Sequence, residues 1–195
     1  MSAVRRWSLT TKTIVASPGF FFENFNLRDA YDFPVAYALV SAVVGALLFG
    51  VVTTVAVLAL GSGGAQSALT AGAVFGGVAF LLSVGGFATR VIAAHAVVAL
   101  TEGGPFARTV EAFAYPTVAT MVLGAVPVVG FVAPLYGYYL QFKGLVSFQE
   151  MEAGPAAAAI VVANVVSGVI LTVFVFVVLP LLITLVGLAA LAALG

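Results

Sequence analysis

The chain has 195 residues, of which 63% are hydrophobic and only 7% charged, with mean hydropathy +1.24. A soluble domain carries about 25% charged residues, so this composition excludes a soluble fold and predicts an all-α integral membrane protein. The net charge of zero argues against a nucleic-acid partner, and the absence of cysteine excludes disulfides, thiolate metal sites and thiol nucleophiles.

The first 33 residues contain no continuous apolar run, so no cleavable signal peptide is predicted and insertion is assigned to the first internal span. Within this cytoplasmic N-terminal segment, Val4, Trp7, Thr11, Ile14 and Val15 fall in one sector at helical spacing, with Arg5, Arg6 and Lys12 turned away. That pattern predicts a short helix lying on the inner leaflet, ended or redirected at Ser17-Pro18.

A membrane domain is predicted over 34–195. About 20 apolar residues cross the hydrocarbon core, and the first such run extends from about Pro34 to Leu60. Gly61–Ser67 is an uncharged turn. The second run extends from Leu69 to Leu100, interrupted by Arg90 and His95, and is broken by Thr101–Pro105. The third covers Phe106 to Val126. After a short turn at Pro127–Gly130, the fourth continues to Phe148, and Gln149–Pro155 is the next polar break. From Ala156 to the C-terminus the chain is apolar for about 60 Å of helix, twice the hydrocarbon thickness. This is either one tilted helix kinked at Pro180, or a span ending near Leu179 followed by a re-entrant or interfacial tail. A full sixth span is too short, so a five-transmembrane-helix bundle is the expected architecture.

Charge placement agrees with that count. All seven basic residues (Arg5, Arg6, Lys12, Arg28, Arg90, Arg108 and Lys143) and all seven acids fall before the first span, between the second and third, or between the fourth and fifth. Five spans put every one on a single face, and the positive-inside rule makes it cytoplasmic, with the N-terminus inside and the C-terminus outside.

Few residues carry chemistry. Arg90 is ionisable within an apolar run, which is a functional signal by default, although its stem is long enough to snorkel to headgroups. His95 and Glu102 are seven apart on one helical face, a spacing open to a proton relay or metal site, but a zinc site wants further ligands. Arg108 and Glu111, three apart after Pro105, read as a surface salt bridge or part of a docking face. Tyr115-Pro116 predicts a kink in the third span. Tyr136, Tyr138, Tyr139 and Lys143 read as the membrane edge at the cytoplasmic end of the fourth span. Alternatively their hydroxyls meet Arg90, Arg108 or Glu111 in a polar cluster. Asn164 reads as an amide bonding across helices. Small residues at spacing four (Ala68, Gly72 and Gly76; Ser41 and Gly45; Ala46 and Gly50) predict close helix packing or a self-association face. No HExxH or Walker loop is present. Ser62 of Gly61–Gly64 would lie about 30 Å from His95, across the bilayer, so no catalytic constellation and no cofactor are expected.

The order of segments carries a resemblance. SPGFFFENF (Ser17–Phe25) precedes the first span, and TEGGPFARTVEAFAYPTVATMVLGAVPVVG (Thr101–Gly130) leads through the third. YGYYLQFKGLVSFQEMEAGPAAAAIVV (Tyr136–Val162) closes the fourth and opens the fifth. The Pro-x-x-Phe-Phe start, the Gly-Gly-x-Phe turn, the Tyr-Pro and the tyrosine-glycine-leucine pattern resemble short prokaryotic members of the Yip domain family, named for interaction with Ypt/Rab GTPases. The resemblance implies five spans, a cytoplasmic N-terminus and a non-enzymatic scaffold or adaptor that engages membrane or cytoplasmic protein partners, or shapes the lipid bilayer. The N-terminal segment is far shorter than the polar head of the eukaryotic relatives, so their Rab partner is not carried over. The runner-up expectation is a small-solute or lipid transporter or channel with a pathway near Arg90, His95 and Asn164.

Overall fold

A computed structural model describes residues 3–25, 31–61, 64–101, 103–178, 180, 181 and 184. Among them there are helices and turns and no strand. Two short N-terminal helices, α1 (Ala3–Ala16) and α2 (Pro18–Asn24), precede the long helices α3 (Asp32–Ala59) and α4 (Ala65–Leu100). A short helix α5 (Phe106–Ala114) leads into a π-helical turn (Val118–Val122) and a 3-10 turn (Leu123–Ala125). Helix α6 (Val129–Phe148) returns alongside it. Helix α7 (Ala153–Val173) follows and ends in a second π-helical turn (Phe174–Val178). The path after Pro180, which the sequence leaves open, lies outside the described residues except at Leu181 and Thr184.

Three helical stretches are long and apolar enough to cross a membrane: Asp32–Ala59, Ala65–Leu100 and Ala153–Val178. They match the first, second and fifth expected spans. The third expected span is not one helix. Pro116 lacks an amide donor and its ring crowds the carbonyl one turn back, so α5 stops at Ala114 and the chain goes on through looser turns. The fourth, α6, is 20 residues long but diluted by Tyr136, Tyr138, Tyr139, Gln141 and Lys143.

The reason the third segment tolerates its composition is its position. Residues 107 and 109–119 are buried, surrounded by α3, α4 and α6. Helices α3, α4 and α7 form the lipid-like exterior, where Leu47, Val51, Leu81, Ile92, Val161 and Val169 are exposed. Helix α4 packs between α3 and α7.

The α3–α4 contact uses the small residues seen in the sequence. A Cβ on Gly50 would lie 2.8 Å from the Gly72 carbonyl oxygen, and one on Gly76 would lie 3.0 Å from that of Ala46. Their spacing serves packing inside the chain. Gly45 faces the central segment instead, and a Cβ there would lie 2.8 Å from the Met121 carbonyl carbon.

The N-terminal segment does form a helix, but its apolar sector meets protein. Trp7 Nε1 donates to Ser41 Oγ at 3.0 Å, Thr11 and Tyr37 share a 2.7 Å hydroxyl bond, and Ile14 is fully buried. Arg6 sits 4.0 Å above the Phe33 ring, a cation–π contact worth about 0.5–1 kcal/mol.

The turn between the central segment and α6 is strained. Val128 has φ +70° and ψ −55°, and the Val129 amide donates to the Pro127 carbonyl at 2.8 Å, closing a γ-turn that a β-branched residue rarely adopts.

Gly45→Ala is expected to destabilise the protein by about 1–3 kcal/mol, because the overlapped atoms are backbone and cannot rotate away. Gly77→Ala, whose Cβ would meet nothing within 4 Å, is the matched control. Thermal unfolding in detergent separates the two, and equal midpoints would refute the close α3–central-segment contact.

Candidate functional site

The expected site residues divide among three places. The first is the end of the bundle where α4 finishes, α5 starts and α6 turns into α7. There His95 Nδ1 and Thr109 Oγ1 are 2.9 Å apart, and Gln149 Nε2 donates to the same hydroxyl at 2.7 Å and to the Pro105 carbonyl at 3.1 Å. The Phe106 ring stands edge-on to His95 at 4.9 Å. A buried threonine hydroxyl therefore joins α4 to the α6–α7 loop. Gln149 is the residue sequence reasoning missed. As a lone polar side chain in a turn it gave no signal, and only its burial shows its role.

Arg108 lies beside this chain of bonds. Its Nη1 is 3.6 Å from Glu150 Oε1 and donates to the Phe148 carbonyl at 3.4 Å. Glu150 is largely exposed, which limits the pair to about 1 kcal/mol or less. Glu111 is not on the surface. It is 1% exposed, turned into the bundle with Thr109 and Phe113. The reading of Arg108 and Glu111 as a surface pair is corrected accordingly: α5 is enclosed, so a residue one turn on from Arg108 already points inward. Glu102, paired with His95 in the sequence reading, lies outside the described residues.

The second place is the aromatic core. Tyr115 is 1% exposed and touches five other rings: Phe21, Phe25, Phe33, Tyr37 and Phe148, with centroids 4.9–6.4 Å away. Tyr115 belongs to this cluster and not to a polar surface.

The third place is a lateral crevice of about 290 Å³, lined by Leu82, Ser83 and Arg90 of α4, Thr120 and Met121 of the π-helical turn, and Pro134 and Tyr138 of α6. Arg90 Nε donates to the Gly86 carbonyl at 2.9 Å, so the side chain folds back along α4, away from the Leu100 end. It does not reach toward the end of the helix as a snorkelling side chain would. Tyr138 stands halfway along α6, not at its end, and shares the crevice with Arg90. Tyr136 belongs elsewhere: its hydroxyl is 3.2 and 3.3 Å from the Ile14 and Val15 carbonyls and donates to the last turn of α1, while its ring stacks on Tyr139. Lys143 is half-buried, nearer the Phe148 end of α6.

Asn164 bonds within its own helix, donating to the Ile160 carbonyl at 2.8 Å, and does not bridge helices. The bridge between α7 and α4 is made by Ser167 and Thr89, whose hydroxyls are 2.9 Å apart beside Gly86. Neither His95 nor Asn164 lines the Arg90 crevice.

Among the described residues, no three His, Cys, Asp or Glu side chains gather to hold a metal ion. No family model, curated protein or solved structure matches the chain.

Thr109→Val is expected to cost about 1–3 kcal/mol, because it strips the shared partner from His95 and Gln149 while keeping volume. Thr109→Ser keeps the hydroxyl and most of the stability. Hydrogen exchange at the α4 C-terminus reads the difference, and identical protection in both variants would show that the hydroxyl does not tie these segments together.

Proposed function

We propose that the chain is a non-enzymatic integral membrane scaffold or adaptor of the Yip type. It crosses the membrane five times, with its N-terminus in the cytoplasm. The crossings are α3, α4, the segment 106–125, α6 and α7. Segment 106–125 and α6 each hold 20 residues, close to the roughly 20 that span the hydrocarbon core. Enclosure of the central segment supports counting it as a crossing, since polar groups facing the bundle interior avoid lipid.

The observation that carries the adaptor reading is the contrast between the two ends. At one end the loops after α4 and α6 are locked together through His95, Thr109, Gln149 and the Arg108–Glu150 pair. At the other, the turns at Gly61–Ser67 and Pro127–Gly130 carry no charge. A rigid polar end with a mixed-charge rim suits protein docking. The only histidine is engaged by Thr109 and Phe106, which makes it part of this end's packing.

Topology is directly testable because the chain has no native cysteine. Single cysteines at Gly61 and Val128 are expected to react with a membrane-impermeant maleimide from outside intact cells, and those at Leu100 and Glu152 only after lysis. A Val128 cysteine protected until lysis would reduce the crossings to three. For the docking face, Arg108→Ala with Glu150→Ala is expected to reduce photo-crosslinking from a probe at Phe106 to protein partners, with normal insertion. Undiminished crosslinking would remove that face from the proposal.

A further inference from the structure

The Arg90 crevice has a composition that the scaffold reading does not use. Its walls are two helices that pack mainly on other elements: α4 on α3, α5 and α7, and α6 on α2, α5, the central turns and α7, with Thr120 and Met121 lining the gap between them. One cation faces this gap. The Arg90 Nε–H is engaged by the Gly86 carbonyl, and the two terminal nitrogens of the guanidinium have no protein hydrogen-bond partner among the described residues. The lining contains no carboxylate. The other polar groups there are the hydroxyls of Ser83, Thr120 and Tyr138. Leu82, Met121 and Pro134 supply apolar wall.

A guanidinium held among apolar helices is expensive without a counter-charge. Its free edge presents parallel N–H donors that match two oxygens sharing one negative charge. Hydroxyls add neutral donors around the same volume without cancelling the charge. We propose that the crevice between α4 and α6 is a binding site for an oxyanion, with Arg90 as the bidentate anchor and Ser83, Thr120 and Tyr138 as supporting donors. The chemistry is that of a phosphate ester. The apolar wall and lateral opening favour one carried on a lipid, whose acyl chains would run past Leu82 and Pro134. A free phosphate group would satisfy the same donors. The site is independent of the docking end and stands whether or not that surface has a partner.

The test is native mass spectrometry of the purified chain released from nanodiscs containing phosphatidylglycerol and phosphatidylcholine, with thermal unfolding in inorganic phosphate run in parallel. The wild-type chain is expected to retain one phosphatidylglycerol, and Arg90→Gln to lower retention about tenfold, the scale of a lost charge-assisted pair. Ser83→Phe keeps the charge and fills the crevice, and it is expected to lower retention as much. It guards against a loss of fold caused by changing Arg90. Lys12→Gln, on the exposed face of α1, is expected to leave retention unchanged. Thermal stabilisation by millimolar phosphate that Arg90→Gln abolishes, without lipid retention, would support the oxyanion site and assign it to a soluble anion. Equal lipid retention by wild type, Arg90→Gln and Ser83→Phe, with no phosphate effect, would overturn the proposal.

Discussion

The fold depends on the ring cluster around Tyr115. This one side chain, at the end of α5, touches rings from α2 (Phe21), the residue after it (Phe25), α3 (Phe33 and Tyr37) and α6 (Phe148). Ring pairs in tilted or edge-on geometry contribute about 0.5–1.5 kcal/mol each beyond the area they bury. In lipid, apolar burial gives little drive for helices to associate, so shape and specific contacts must hold them. The cluster supplies such contacts at the point where the central segment bends. The N-terminal helices are secured by the same rings, and Ser147 adds a short bond from its hydroxyl to the Phe22 carbonyl.

Around that hub the molecule has two kinds of surface. Helices α3, α4 and α7 present branched aliphatic side chains outward, and their mutual contacts rely on small residues and on the Thr89–Ser167 hydroxyl pair. Most of the buried polar side chains among the described residues lie in the central segment, in α6 or directly after it. Glu111, Thr109, Thr117, Gln141 and Gln149 are all buried. The segment least suited to lipid is also the one most thoroughly covered by its neighbours.

This arrangement explains what was legible in the sequence. Apolar runs located α3, α4 and α7 because those helices face outward, and outward-facing composition is what a hydropathy pattern records. The same pattern marked 106–126 as one span. It could not register that Pro116 sits where a surrounding cage tolerates a break. Small residues at spacing four indicated close packing, although not that Gly45 would meet the central turns while Gly50, Gly72 and Gly76 served the α3–α4 crossing. The tyrosines near Lys143 divide: Tyr136 bonds to the last turn of α1, whereas Tyr138 shares a crevice with Arg90 midway along α6, as the polar-cluster alternative expects. Asn164 looked like interhelical glue because an amide in an apolar run usually needs a partner, and its own helix provides one. Ser167 carried a signal in principle, as a small polar residue on the same α7 face as Ala156, Ala159 and Ala163.

The hub also dictates an order of events during synthesis. Phe22 emerges from the ribosome early, but the serine that binds its carbonyl follows 125 residues later. Tyr136, which holds the last turn of α1, lies 122 residues downstream of Ile14. Until α6 exists, the N-terminal helices have only their contacts with α3 and Tyr115 to hold them. The central segment, for its part, needs α3 and α4 already in place as walls. The part translated first is thus completed late, only when α6 brings Tyr136 and Ser147 to its helices.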